Sequence, residues 1–457
     1  MTMPATRSST PSDALPVIVV GAGIAGLVVA RDLAAAGVRV VVLERSERLG
    51  GQIDSAMLAG RRVDVGAESF ATRGSAVADL LADLGLADHV RSPLDRPAWI
   101  HYSTGRSYPL PAAGMLGIPV RPLAREMVAV LGWRGALRAA ADAVLPRRSF
   151  PARASVGDVV GARMGRTVVE RLVDPVVRGV YSSAADSLPL TTASPALAEE
   201  LTRTRRLGRA ARNVRAASPA GSQVNGLDGG LAALVDALAA QVRNAGGTIR
   251  TGVEVVSLVP GGLRVRPHDG GAPGSEEEVA GPVVLAAPGI APGTTREREI
   301  TVVAAAVRSH RLTGAPRGTG VLVSAGAPDV AARALTHSSA KWSWLAAVAD
   351  VHLVRLSYDV PPAPEDLERV LECDVRALTG ATDAEVLEHV ARTWRRTLAV
   401  FPDPQADPAG SPRLVGEASG RTGLASIVPH ARTVAAELAA AEPLSSSTTS
   451  TTQGAPS

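Results

Sequence analysis

Residues 17–51, VIVVGAGIAGLVVARDLAAAGVRVVVLERSERLGG, restrict this chain to few folds because they contain a complete strand–turn–helix–strand unit. The opening VIVV suits a strand buried on both faces of a parallel sheet. Gly21, Gly23 and Gly26 come next as GxGxxG. In such a turn the first glycine permits the tight reversal and the second lets the main chain approach a pyrophosphate. The third lets helix and strand pack closely. The spacing predicts a helix over about 24–36, closed by Gly37, whose first N–H groups at Ile24 and Ala25 and positive dipole end face the phosphate. A second strand at 38–43 delivers Glu44 about 18 residues after Gly26, where a carboxylate accepts hydrogen bonds from a ribose diol. An acid without a 2′-phosphate anchor favours FAD or NAD over NADP, and Arg45 is the neighbouring cation that argues the other way.

Bulk properties exclude several classes. At 457 residues the chain is long enough for two or three domains, and with 46% hydrophobic but only 3% aromatic residues its core must be built from Ala, Val and Leu. The net charge of +4 comes from arginine, with Lys341 the sole lysine, and no basic stripe is interleaved with aromatics, so no nucleic-acid partner is expected. A single cysteine, Cys373, rules out an internal disulfide, fits a reducing compartment and reads as a buried or bystander thiol. Residues 1–14 lack the apolar region of a signal peptide, and 442–457 form a Ser/Thr-rich tail; both are expected to be disordered. No charge-free stretch reaches the roughly 18 apolar residues of a membrane span. No GxSxG elbow, Cys/His pair or metal-ligand spacing occurs, so no catalytic side chain and no metal are assigned.

The residues just beyond Glu44 narrow the cofactor. They are RLGGQ at 48–52 and VDVGAESFATRG at 63–74. An ERxxRxGG run succeeded by DxG resembles the flavin amine oxidase superfamily, and the wording DVGAESFATRG resembles its bacterial protoporphyrinogen/coproporphyrinogen III oxidase branch. Further likenesses run through NGLDGGL at 225–231, TGVEV at 251–255, VLAAPG at 284–289, GTGVLV at 318–323 and GRTGLA at 420–425. The resemblance implies an α/β chain: an FAD-binding Rossmann-like domain with an interleaved α+β substrate domain and a helical subdomain. It implies FAD held by Gly50, Gly51 and Gln52 beyond the first turn, by Gly66, Ala67, Glu68 and Ser69 near the flavin, and by the backbone of Val253 at the adenine. Ala287 and the helix start at Gly423, Leu424 and Ala425 complete that set, the last as N–H donors to the flavin's pyrimidine edge.

The expected division is a discontinuous FAD-binding domain (15–90, 223–300, 413–441), a mostly helical substrate- or membrane-facing subdomain (91–222) and an α+β substrate domain (301–412). Helices are expected at about 123–145, 156–173 and 364–378, and strands at 248–253, 301–307, 320–323 and 351–357. The apolar stretch LPAAGMLGIPV at 110–120 is either a buried contact or a membrane contact.

The resemblance further implies oxidation of a porphyrinogen in heme biosynthesis, coproporphyrinogen III rather than protoporphyrinogen IX. Flavin takes the electrons and O2 reoxidises it to give H2O2. The enzyme would be cytoplasmic, in peripheral contact with the membrane and in transient contact with other heme-pathway enzymes. Arg73 is the candidate cation for substrate propionates, since its fork suits a carboxylate. Lys341, in a KW pair like that of the family's middle region, is the candidate near the flavin. Two departures stand out: only IAPGTTREREI links Gly289 to the next strand, and Trp394 leads into FPDPQADPAGSPR rather than a Tyr-x-x-Gly-His-like stretch. They keep open an amine oxidase or desaturase, and a shortened FAD-binding homologue without turnover.

Overall fold

Val17, Ile18, Val19 and Val20 are all buried, because the strand they form is covered on both faces. In this computed structural model, which describes residues 15–103, 105–110, 115–181, 183–217, 224–269, 276–290, 294–400 and 411–441, that strand is the middle of a five-stranded parallel sheet. The order is Thr248–Arg250, Val40–Leu43, Val17–Val20, Val283–Leu285, Arg413–Leu414. Val17 and Val19 face the helices Ile24–Ala35, Ala232–Asn244 and Leu424–Ala441, whereas Ile18 and Val20 pack with Leu263, Val265 and Leu285 beneath a three-stranded antiparallel sheet. The two-residue side-chain period of the strand thus serves two cores.

A seven-stranded sheet forms the second body of the fold. Its order is Glu385–Val400, Thr294–Arg308, Val351–Tyr358, Ala334–His337, Gly320–Val323, Ala98–Ser103, Arg106–Pro109, antiparallel except where Gly320–Val323 meets Ala98–Ser103. Along Thr294–Arg308, Val303, Ala305 and Val307 face the amphipathic helix Leu367–Thr379. Ala304 and Ala306 face Leu58, Val63, Val65 and Trp342, the first two of these four belonging to the small hairpin of strands Ser55–Leu58 and Arg61–Asp64. Alanine at those two positions leaves room for that layer to sit close.

Several elements differ from expectation for identifiable reasons. The helix expected over 123–145 is Arg125–Ala140, broken at Gly132, where φ is +70°. That expected over 156–173 is interrupted at Gly165 (φ +95°), where a Cβ would meet Arg138 Cγ at 2.9 Å. The strand expected to run to Val253 stops at Arg250, and Val253 begins another strand after the left-handed turn at Gly252. Asn225 and Gly226 lie in the strand Val224–Leu227, and the helix opens only at Ala232. Residues 98–109, within the segment read as mostly helical, contribute a hairpin to the large sheet. The strand Glu385–Val400 was not anticipated. Of the apolar stretch at 110–120, residues 111–114 lie outside the described part, and among the rest Ile118 is fully buried in the helical core. Of the two readings of Cys373, buried or bystander, its exposure fits the second. Both terminal tails lie outside the described residues.

Candidate flavin site

The glycine turn at the end of Val17–Val20 is tight enough that side chains are excluded. Gly21 has φ +99°, and a Cβ there would come within 3.1 Å of Ala287. A Cβ on Gly26 would lie 2.0 Å from the Gly21 carbonyl oxygen. Gly23 meets only the Gly51 α-carbon, at 3.9 Å, so its outer face is bare backbone. Gly23 is also the N-cap of Ile24–Ala35, with no side chain capping it and no acid in the first turn. A nearly buried helix N-terminus left without a carboxylate is an anion site in waiting.

Glu44 stands beside that turn. Its Oε2 accepts from the Ala22 N–H at 2.8 Å, and Oε1 accepts from the N–H and hydroxyl of Ser46, both at 2.9 Å. The Glu44 carbonyl accepts from Val253 N–H at 2.9 Å, which places Val253 at this end of the sheet. Arg45 is exposed.

The groove continues in the other direction, over the ends of the parallel strands, where dinucleotides bind in open α/β sheets. Gly50 N–H donates to the Ala22 carbonyl at 2.8 Å, which fixes the second glycine pair against the first turn. A Cβ on Gly66 would fall 2.1 Å from the Gln52 carbonyl oxygen, which also accepts from Ala67 N–H at 3.0 Å. Gln52 Nε2 donates to Glu417 at 2.8 Å, and Gly416 sits so near Ala25 that a Cβ would reach it at 2.7 Å. Gly423 (φ +76°) then releases the chain into the helix Leu424–Ala441, with Leu424 and Ala425 in its first turn. The cradle is lined by positions that a Cβ would fill and ends on a helix N-terminus. That suits FAD.

Beyond Gly66 lies a cluster of charges that the sequence did not disclose. Glu68 Oε1 accepts from Lys341 Nζ at 2.5 Å, and Glu68 Oε2 pairs with Arg355 Nη1 at 2.6 Å. Burial pushes the Glu68 carboxyl up, but Lys341 and Arg355 outweigh it and hold the group at about 2. Asp64, buried nearby, accepts from Leu231 N–H at 3.0 Å and is pushed up to about 7 by burial, against the pull of Arg355. Trp342 and Trp344 stack at 4.7 Å between centroids, flat against Gly226, whose Cβ would meet both rings at 2.9 Å. Lys341 therefore belongs to an ion-paired cluster. Ser69 is half-buried in the same turn, and Arg73 is exposed with no hydrogen-bond partner among the described residues. The only advance sign of Arg355 was an arginine interrupting an apolar strand, VHLVRLSY. No cluster of metal-ligating side chains occurs among the described residues.

Comparison with known proteins agrees with this geometry. Residues 24–290 match the family described as flavin containing amine oxidoreductase. The chain is 35% identical over 364 residues to the coproporphyrinogen III oxidase of Mycobacterium tuberculosis, covering 74% of this chain and 75% of that one. It is 33% identical over 359 residues to that of Mycobacterium leprae, covering 74% and 76%. Among solved structures, a protein from Exiguobacterium sp. assigned as a protoporphyrinogen oxidase superposes with a TM-score of 0.76 at 21% identity, covering 94% of this chain and all of that one; this likeness speaks for the fold alone. Glycine cradle, bare helix N-terminus and sequence kinship converge: the chain belongs to the flavin containing amine oxidoreductase family, in the branch of the bacterial coproporphyrinogen III oxidases.

Proposed function

We propose that this protein oxidises a porphyrinogen in heme biosynthesis, coproporphyrinogen III in preference to protoporphyrinogen IX, with O2 as final acceptor. The observation that carries this reading is an FAD cradle in a chain 35% identical to coproporphyrinogen III oxidases over three-quarters of their length. Bound FAD supplies two-electron acceptance, the chemistry needed at a porphyrinogen's methylene bridges. The chain's own residues bind and orient. The N-terminus of the helix at Ile24 would hold the pyrophosphate, Glu44 would accept from the ribose, and the helix at Leu424 would offer N–H groups to the ring's pyrimidine edge. Arg73, exposed beyond the Gly66 turn, is the cation for a propionate.

Anaerobic mixing of the FAD-loaded protein with each porphyrinogen tests the reading. Flavin bleaching by coproporphyrinogen III, faster than by protoporphyrinogen IX, with porphyrin fluorescence on admitting oxygen, is expected. Absence of bleaching by both overturns it.

The helical subdomain offers a surface for the expected membrane contact. Leu123, Trp133, Leu137 and Val144 are 51%, 67%, 58% and 81% exposed, and the same stretch of chain carries exposed Arg121, Arg125, Arg134, Arg147 and Arg148 with one exposed acid, Glu126. Exposed apolar side chains in an arginine-rich stretch suit the interface of an anionic bilayer. No helix among the described residues is long and apolar enough to cross a membrane. Sedimentation with phosphatidylglycerol vesicles, lost in Trp133→Ser/Leu137→Ser, is the expected result.

A further inference from the structure

The direction of the groove gives the Glu68 cluster a place. With the pyrophosphate at the helix N-terminus and the ribose at Glu44, the rest of the dinucleotide must run the other way, past Gly51, Gln52 and Gly66. Glu68 lies just past Gly66 in the same turn. Arg355 ties the two together: Nη1 pairs with Glu68, and Nη2 donates to the Gly66 carbonyl at 2.5 Å. Trp342 Nε1 adds a longer contact to Glu68, 3.4 Å. The side chains of Lys341, Glu68 and Arg355 keep 16%, 12% and 10% exposure, so the cluster borders open space rather than sealed core. Two cations share the Glu68 carboxylate, and the neighbouring Asp64, whose carboxyl is pushed up to about 7, offsets the remaining positive charge only in part.

We propose that Glu68 is a positioning residue for the flavin: it anchors the chain's sole lysine at the flavin end of the groove and, with Arg355, sets the positive charge that the reduced cofactor meets. A carboxylate between two cations holds both side chains in one geometry and cancels half of their field. Because the two cations keep the carboxyl near 2, Glu68 stays ionised throughout the neutral range. Its charge is therefore a constant of the site.

This inference rests on the flavin site and not on the identity of the substrate, so its test uses no porphyrinogen. FAD-loaded wild type, Glu68→Gln, Lys341→Met and the double variant are each titrated anaerobically against redox dyes. Glutamine keeps an amide oxygen for the Lys341 ammonium while removing the carboxylate's negative charge, so both cations stay in place and favour the negative charge gained on reduction. Glu68→Gln is expected to shift the reduction equilibrium at least about tenfold toward reduced, about 30 mV for a two-electron couple. Lys341→Met is expected to shift it the opposite way, and the double variant to return toward wild type. Equal potentials in all four proteins, or shifts of one sign in both single variants, overturn the proposal. If Glu68→Gln retains no FAD, Lys341→Met decides alone: a negative shift upholds the proposal and no shift ends it. Failure of every porphyrinogen to bleach the wild type would sink the proposed reaction and leave this measurement standing.

Discussion

Gln52 and Glu417, 365 residues apart in sequence, are joined by a 2.8 Å hydrogen bond from Nε2 to Oε1. The bond links the second glycine pair to the turn that precedes the last helix, so both ends of the cofactor domain close on one another over the groove. Gln52→Leu removes the donor and leaves Glu417 one partner short. A hydrogen bond to a charged group contributes about 1.5–3 kcal/mol. We expect FAD to bind about tenfold more weakly to Gln52→Leu, as measured by flavin fluorescence titration, and the apoprotein to unfold a few degrees lower, since the bond is present without the cofactor.

Gly26→Ala and Gly66→Ala test the cradle itself. Each places a methyl group near 2 Å from a main-chain oxygen, of Gly21 and Gln52 respectively, and backbone cannot yield as a flexible side chain can. Both variants should purify without yellow colour, and reconstitution with FAD should be weakened by well over the tenfold that about 1.4 kcal/mol represents. Gly74→Ala is the control: its left-handed φ carries strain, but a Cβ meets nothing within 4 Å. It should keep its flavin.

Asp64 makes stability pH-dependent in a predictable direction. Its carboxyl titrates at about 7 in the fold and near 3.8 unfolded, so between those values the native state holds a proton that the unfolded state lacks. Its contribution therefore falls as pH rises from about 4 to about 7, then levels. Glu68 runs the opposite way, stabilising above 4.5 and losing that contribution as pH falls toward 2, below the window in question. Asp64→Asn removes the charge and keeps an oxygen for the Leu231 N–H. The variant should match wild type near pH 4 and exceed it at pH 8 by up to about 4 kcal/mol, at 1.36 kcal/mol per pH unit. Urea unfolding of both apoproteins across this range measures the difference, in which shared groups such as buried His337 cancel.

Asp142 holds the helical subdomain together. It is buried, lies 2.5 Å from the equally buried Arg163, and accepts from the N–H groups of Leu207 and Gly208. Asp142→Ala strands a buried guanidinium, which costs about 3–5 kcal/mol. Limited proteolysis should then cut within 121–217 before it cuts the FAD domain, with flavin content of the uncut protein unchanged.

The glycine turn, its helix and Glu44 were readable from a short stretch because their constraints are local: a positive φ at Gly21 and a contact between Gly26 and Gly21 span only a few residues. The strand Glu385–Val400 carries no such local mark: from Glu385 to Arg395 only Val386 is buried, so no apolar alternation announces it, and a bulge at Leu387 opposite Ala306 and Val307 shifts its register at the start. Gly132 and Gly165 likewise cut helices that apolar spacing had run together.

Arg73 and Lys341 show where reading by residue type runs out. Both were single cations named from motif position, and the fold treats them differently: Arg73 projects into solvent, while Lys341 is locked to Glu68. Nothing within either motif distinguishes the two.

By itself the sequence determined the dinucleotide turn, the FAD-type continuation and the kinship of the chain, because backbone sterics and motif order are written in adjacent residues. Only the tertiary structure decided the Glu68–Lys341–Arg355 cluster, the Gln52–Glu417 closure and the raised pKa of Asp64. These depend on how the large sheet seats against the parallel one, which sets the distances and the burial on which charge interactions depend.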